Sequence, residues 1–144
     1  MKATLAFLTV FSVFASISTA EPPKWGDDLS KTVSQARREN KLGFILMGRE
    51  NCGNCKATKA LVEQGKIPVT AETFVAADIN IDDQKSQAEF MRKYKKLEFG
   101  STLPFVVVTD SSGKALAHAG GFKGADHWTK VIEEAKAKTA TTKK

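Results

Sequence analysis

Cys52 and Cys55 are the only two cysteines of this 144-residue chain, and they stand three positions apart. Thiols at this spacing can form a short disulfide, bind a soft metal ion or exchange disulfides with another molecule. Structural zinc needs four ligands, and His118 and His127 lie far from the pair in sequence. Covalent haem attachment needs a histidine directly after the second cysteine, where Lys56 stands. Exchange is therefore favoured, and the alternative of a structural disulfide would stabilise the fold little because its loop is short.

The start of the chain has the composition of a secretory signal peptide. Lys2 precedes an apolar run from Leu5 to Ile17, which is too short to span a bilayer. Small residues follow, so we predict a signal peptide over residues 1–20 with cleavage near Ala20. The mature chain is then expected to be periplasmic or secreted, where disulfides form and persist. An uncleaved anchor is the alternative.

The remaining length fits one domain, predicted here as residues 21–138. The net charge of the chain is +6, and lysines near the C-terminus contribute to it. Residues 139–144 are predicted to form a flexible basic tail. Basic residues do not alternate with aromatic ones, so we expect no nucleic-acid partner. We also expect a monomer with neither a cofactor nor a metal.

Hydrophobic patterning predicts helices that alternate with short buried strands. The predicted elements are a helix from Asp27 or Asp28 to about Asn40, a strand at Phe44–Met47, a helix from the cysteines to Gly65, a strand at Phe74–Ala77, a helix at Asp82–Tyr94, a strand at Pro104–Val108, a return strand at Lys114–His118 and a helix at Asp126–Ala137. This order predicts an α/β fold whose central mixed sheet has helices on both faces. The cysteines then lie where an early strand passes into a helix, at the edge of the sheet where chemistry collects.

The predicted position of Cys52 at a helix N-cap would favour its thiolate, the reactive form of a cysteine. The unpaired backbone N–H groups of the first helical turn face a side chain at that position. Nearby charges are mostly basic, with Arg49, Lys56 and Lys59 against the single acid Glu50. Cys55, one turn later, would be more buried and would act as the resolving thiol. Gly53 leaves the turn into the helix open to a substrate backbone.

The motif Cys52-Gly53-Asn54-Cys55, together with Leu103-Pro104 before a strong strand, resembles the thioredoxin-like family, in particular its exported branch in bacterial periplasms. The resemblance covers about residues 44–137. It implies a thioredoxin-like three-layer fold and a thiol–disulfide oxidoreductase in which Cys52 is the nucleophile. It also implies a cis peptide bond before Pro104, and a substrate platform that Leu103 and Pro104 form with Gly53 and Asn54.

The chain departs from the thioredoxin pattern at positions that bear on the mechanism. Thioredoxins carry a tryptophan before the first cysteine and a proline between the two, where this chain has Asn51 and Asn54. The buried aspartate of the family aligns with Leu46, and its nearby lysine aligns with Asp78. Our hypothesis is that Asp78, buried near Cys55, takes over proton transfer. The alternative is a solvated acid at the end of a strand.

The direction of exchange depends on how strongly the reduced thiolate is stabilised. Oxidising members of the family have a histidine before the second cysteine, and the neutral Asn54 stands there instead. We therefore expect a reductase or proofreading enzyme for disulfides of exported proteins, recharged by a membrane electron donor as the resemblance implies. Three alternatives stay open: a disulfide oxidase or isomerase of the same fold, a periplasmic Cu(I)-binding protein, and a partner-binding module without turnover.

Overall fold

A computed structural model of the protein describes residues 20–141, so the predicted signal peptide falls almost wholly outside the described residues. The elements are β1 (Trp25–Gly26), α1 (Leu29–Glu39), β2 (Leu42–Gly48), α2 (Gly53–Glu63), β3 (Phe74–Asn80), α3 (Gln84–Tyr94), β4 (Phe105–Thr109), β5 (Ala115–Gly120) and α4 (Ala125–Thr141). Every helix and strand expected from the sequence is present, and β1 is an additional strand.

The five strands form one mixed sheet in the order β1-β3-β2-β4-β5. The strands β1, β3 and β2 run parallel, while β4 and β5 pair antiparallel with their neighbours. The central strand β2 therefore has a parallel neighbour on one side and an antiparallel neighbour on the other. The carboxyl ends of β2 and β3 and the amino end of β4 meet at the same edge of the sheet, where α2 begins.

Alternate residues of β2 build the two cores of the molecule, because successive side chains of a strand point to opposite faces. Phe44 and Leu46 belong to a cluster that includes buried residues of α2 and α4. Ile45 and Met47 belong to a second cluster with residues of α1 and α3. All four side chains are at most 1% exposed. The chain thus has three layers, with a pair of helices on each face of the sheet.

The cap of α1 and the end of α4 add detail to what the sequence predicts. Asp28, rather than Asp27, caps α1, since its carboxylate accepts the Lys31 N–H at 2.8 Å. Helix α4 continues to Thr141, so residues 139–141 of the predicted tail are helical in the structure. Alanine and lysine at this helix end are good helix formers, and the Thr139 hydroxyl donates to the Lys136 carbonyl at 2.6 Å. Residues 142–144 lie outside the described range.

Between residues 20 and 141, none of the helices is both long enough and apolar enough to cross a membrane.

Replacing Asp28 by alanine should lower the free energy of unfolding by about 1 kcal/mol, because the first turn of α1 loses its cap. Asp27→Ala is the matched control, since the exposed Asp27 lies one residue outside the cap. Urea unfolding of both oxidised variants measures the difference. Equal losses in the two variants would contradict the assignment of the cap to Asp28.

Candidate active site

The junction between β2 and α2 presents Cys52 as the N-cap of α2. Its backbone is extended (φ −92°, ψ 108°), while its carbonyl already accepts the Lys56 N–H at 3.1 Å. The Cys52 sulfur accepts the Cys55 N–H, also at 3.1 Å. A sulfur at this position takes the place of the oxygen of a serine or aspartate cap. It therefore faces the positive end of the helix dipole.

Cys52 and Cys55 form a disulfide with a Cα–Cα distance of 5.2 Å. Cys55 is only 3% exposed and belongs to the core cluster on the α2 and α4 face, whereas Cys52 is half-buried at the edge of that cluster. Cys52 is therefore the more accessible residue of the pair. This difference agrees with the assignment of Cys52 as nucleophile and Cys55 as resolving thiol, which stays a prediction.

The structure brings the four residues of the predicted substrate platform to the start of α2. The Leu103–Pro104 peptide bond is cis, and Leu103 packs against the same core cluster as Cys52. The Asn54 side chain donates a hydrogen bond from Nδ2 to the Leu103 carbonyl at 3.4 Å, and this bond links the motif to the proline loop. Gly53 is exposed, with nothing within 4 Å of the position that a Cβ would take. Its open surface leaves room for a substrate backbone.

Gly48, the last residue of β2, is a site residue that sequence reasoning missed. A Cβ at this position would lie 2.6 Å from the Cys55 sulfur and 3.0 Å from the Cys55 Cβ. The buried sulfur thus occupies the space that any other residue at the end of this strand would fill. A glycine directly after a buried strand and just before a Cys-x-x-Cys pair is the sequence signal that could have identified it.

Asp78 lies on β3 opposite Leu46 of β2, so both side chains are on the face covered by α2. Asp78 and Cys55 line the same cleft of about 350 Å³. Asp78 is only partly buried, since its side chain is 33% exposed, and its carboxylate lies 2.6 Å from Lys59 Nζ. The exposed third of the Asp78 side chain gives it access to water. A role of Asp78 in proton transfer stays a prediction.

A second cleft, of about 340 Å³, begins at Asn54 and runs along the loops that flank the cis peptide bond. It is lined by Asn54, Phe99, Gly100, Ser101, Thr102, Gly120, Gly121, Phe122 and Lys123. The Phe122 side chain is 36% exposed, one of two large hydrophobic side chains that stay exposed in residues 20–141. An exposed aromatic ring in the same cleft as the exposed Gly100 suits contact with an extended peptide.

The two histidines lie outside both clefts. His118 is exposed on β5, where its ring is 5.4 Å from that of Phe99. His127 is in the first turn of α4, where burial, and then the charges of Lys123 and Lys130, lower its pKa. In the part of the chain that the structure describes, no three His, Cys, Asp or Glu side chains are placed to hold a metal ion.

Solved structures with thioredoxin-like folds match the chain along most of their length. A thioredoxin mutant from Halobacterium salinarum is 19% identical, with 81% of this chain and 95% of that chain covered and a TM-score of 0.56. Thioredoxin f from spinach chloroplast is 17% identical, with 81% and 96% covered and a TM-score of 0.57. A candidate disulphide-isomerase from Bacteroides thetaiotaomicron is 19% identical, with 82% and 96% covered and a TM-score of 0.55.

At these identities the likeness concerns the fold, and it confirms the predicted thioredoxin-like α/β fold with its mixed central sheet. A scan against protein-family models found no match, and no curated protein sequence matches the chain.

Gly48→Ala should destabilise the oxidised protein by about 1–3 kcal/mol, because the new methyl group and the Cys55 sulfur compete for the same space. The sulfur cannot turn away, since it is bonded to Cys52. Gly53→Ala is the matched control, because a Cβ there meets nothing within 4 Å. Guanidinium unfolding under oxidising conditions compares the variants. A Gly48→Ala protein as stable as the control would contradict the close contact.

Proposed function

We propose that this protein is a thiol–disulfide oxidoreductase that acts on exported proteins, mainly in the reductive or proofreading direction. One observation carries the proposal. The partly exposed Cys52 caps a helix through its sulfur and is bonded to the buried Cys55, beside the cis Leu103–Pro104 peptide. A disulfide that served only to brace the fold would not need one partly exposed cysteine. A purely structural disulfide would also be expected to close a longer loop, because the stabilisation of the fold by a disulfide grows with the length of the loop that it closes.

The geometry accounts for each step of an exchange cycle. In the reduced protein, the Cys55 N–H and the helix dipole favour the Cys52 thiolate. The thiolate attacks a substrate disulfide, a Cys52–substrate bond forms, and one substrate sulfur leaves as a thiolate. Cys55 then loses its proton and attacks Cys52, which releases the second substrate thiolate. The substrate gains two electrons, and the protein ends as the Cys52–Cys55 disulfide.

The reductive direction is supported by the surroundings of Asn54. Its side chain is neutral and donates its hydrogen bond to the Leu103 carbonyl, not to the Cys52 sulfur. The thiolate of Cys52 thus receives help from the helix but no added charge from residue 54. Weaker stabilisation of the reduced form corresponds to a lower, more reducing potential. Exported substrates and a membrane electron donor follow from the predicted signal peptide and from the family resemblance.

Catalysis of insulin reduction by dithiothreitol tests the proposal. The oxidised or reduced protein should accelerate the reaction, and Cys52→Ser should abolish the acceleration because the nucleophile is lost. Cys55→Ser should instead accumulate a mixed disulfide with the substrate, which mass spectrometry detects. A protein that binds Cu(I) tightly but leaves the rate unchanged would be a copper-binding protein. Activity that survives in Cys52→Ser would indicate a binding module.

Asn54→His should raise the reduction potential by about 20–30 mV, the equivalent of about 1 kcal/mol of added thiolate stabilisation. An ordinary histidine is half protonated near pH 6.5, so the rise should be larger at pH 6 than at pH 8. Asn51→His, in the loop outside the helix, is the control. Equilibration with glutathione measures the potentials. A rise of the same size in the control would show that residue 54 has no special effect.

A further inference from the structure

An ion pair lies in the cleft of Cys55 and takes no direct part in the exchange of sulfur bonds. Lys59 Nζ is 2.6 Å from Asp78 Oδ2, and the two side chains are 30% and 33% exposed. Lys59 follows Cys55 by four residues on α2, so the two share one face of the helix. All three residues line the cleft of about 350 Å³, which is wide enough for water.

The ammonium group of Lys59 is held from a second direction by Trp25. It lies 5.4 Å from the centroid of the indole ring, a distance at which a cation is attracted to the face of the ring. Trp25 belongs to β1 and pairs with Ala76, which precedes Asp78 by two residues on β3. The short strand β1 therefore brings the ring to the position where it limits the freedom of the lysine stem.

We propose that Lys59 is a positioning residue for the resolving step, in which it holds the Asp78 carboxylate oriented in the cleft of Cys55. This inference rests on the proposed exchange function. The Cys55 thiol gives its proton through water in the cleft to Asp78, which passes it on to solvent. The Cys55–Cys52 bond forms, the Cys52–substrate bond breaks, and the substrate leaves as a thiolate.

Other charged groups face the same cleft. The loop before α2 contributes Arg49 and Glu50, and α2 contributes Lys56. Arg49 is paired with Asp82 at 3.3 Å. Lys56 also lines the cleft, but none of the ion pairs formed within residues 20–141 includes it. Lys56 thus offers a matched control, because its loss removes the same charge from the same helix and leaves the Lys59–Asp78 pair intact.

The reaction of the reduced protein with 5,5′-dithiobis(2-nitrobenzoate), followed by stopped flow, separates the two chemical steps. Attack by Cys52 releases the first coloured thiolate, and attack by Cys55 on the mixed disulfide releases the second. The second phase of Lys59→Met should be about three- to tenfold slower at pH 6 and should approach the parent rate at high pH. The first phase should change less than about twofold, since the ion pair lies on the side of Cys55.

Lys59→Arg should keep the parent profile, and Lys56→Met should change the second phase less than about twofold. In Asp78→Asn the second phase should slow at neutral pH, and adding Lys59→Met should slow it little further. If Lys59→Met does not fold, Lys59→Gln and Asp78→Asn break the same ion pair from its two ends.

Two outcomes would overturn the inference. One is an equal slowing of the second phase in Lys59→Met and Lys56→Met, and the other is a slowing in Lys59→Met that is the same at every pH. A parent protein without any second phase would instead refute the exchange function itself.

Discussion

The candidate site depends on one constraint: Cys55 has to be buried while Cys52, three residues away, stays within reach of another molecule. A helix that starts at the carboxyl end of a central strand satisfies both requirements. The N-cap lies outside the helix and faces its free N–H groups, while a residue of the first turn can point into the core. The core beneath α2 accepts the Cys55 sulfur only because Gly48 has no side chain. The exposure of one sulfur and the burial of the other are therefore consequences of the same junction.

The charges of the site follow from what lies beneath that junction. Leu46 is fully buried and makes the sheet under α2 apolar. A carboxylate in its place would be taken out of water at a cost of several kcal/mol unless it were paired and hydrogen-bonded. Asp78 stands on the neighbouring strand instead, keeps a third of its surface exposed and is neutralised by Lys59. An ionisable group thus stays in the cleft of Cys55 with a smaller desolvation cost than a buried acid would have.

The parts of the structure that could be predicted from the sequence are those set by strong local patterns. The run Phe44–Met47 is apolar throughout because both faces of β2 are covered, which confirms the prediction of a buried strand. Strand β1 has only two residues and is held by its pairing with β3, which no local pattern reveals. The same limit applies to Asp78, because its contact with Lys59 joins two residues that are 19 positions apart and belong to different elements. Gly48 was missed for a related reason, since its role depends on where a sulfur from the next helix is placed.

The hydrogen bond between Asn54 and Leu103 links the disulfide motif to the loop of the cis proline. The resemblance to the thioredoxin-like family implies that a substrate backbone uses the groups beside the cis proline. In the oxidised protein the Leu103 carbonyl already accepts the Asn54 amide, at 3.4 Å. A bond this long between exposed groups is weak, so a peptide N–H can donate to the Leu103 carbonyl in place of Asn54 at little cost.

Once released, the Asn54 amide is free to donate to the substrate or to a thiolate in the mixed disulfide. A proline at this position could make none of these exchanges, since it has no side-chain donor. In the proposed exchange function, the departure from the thioredoxin motif at Asn54 therefore concerns substrate binding as well as the potential.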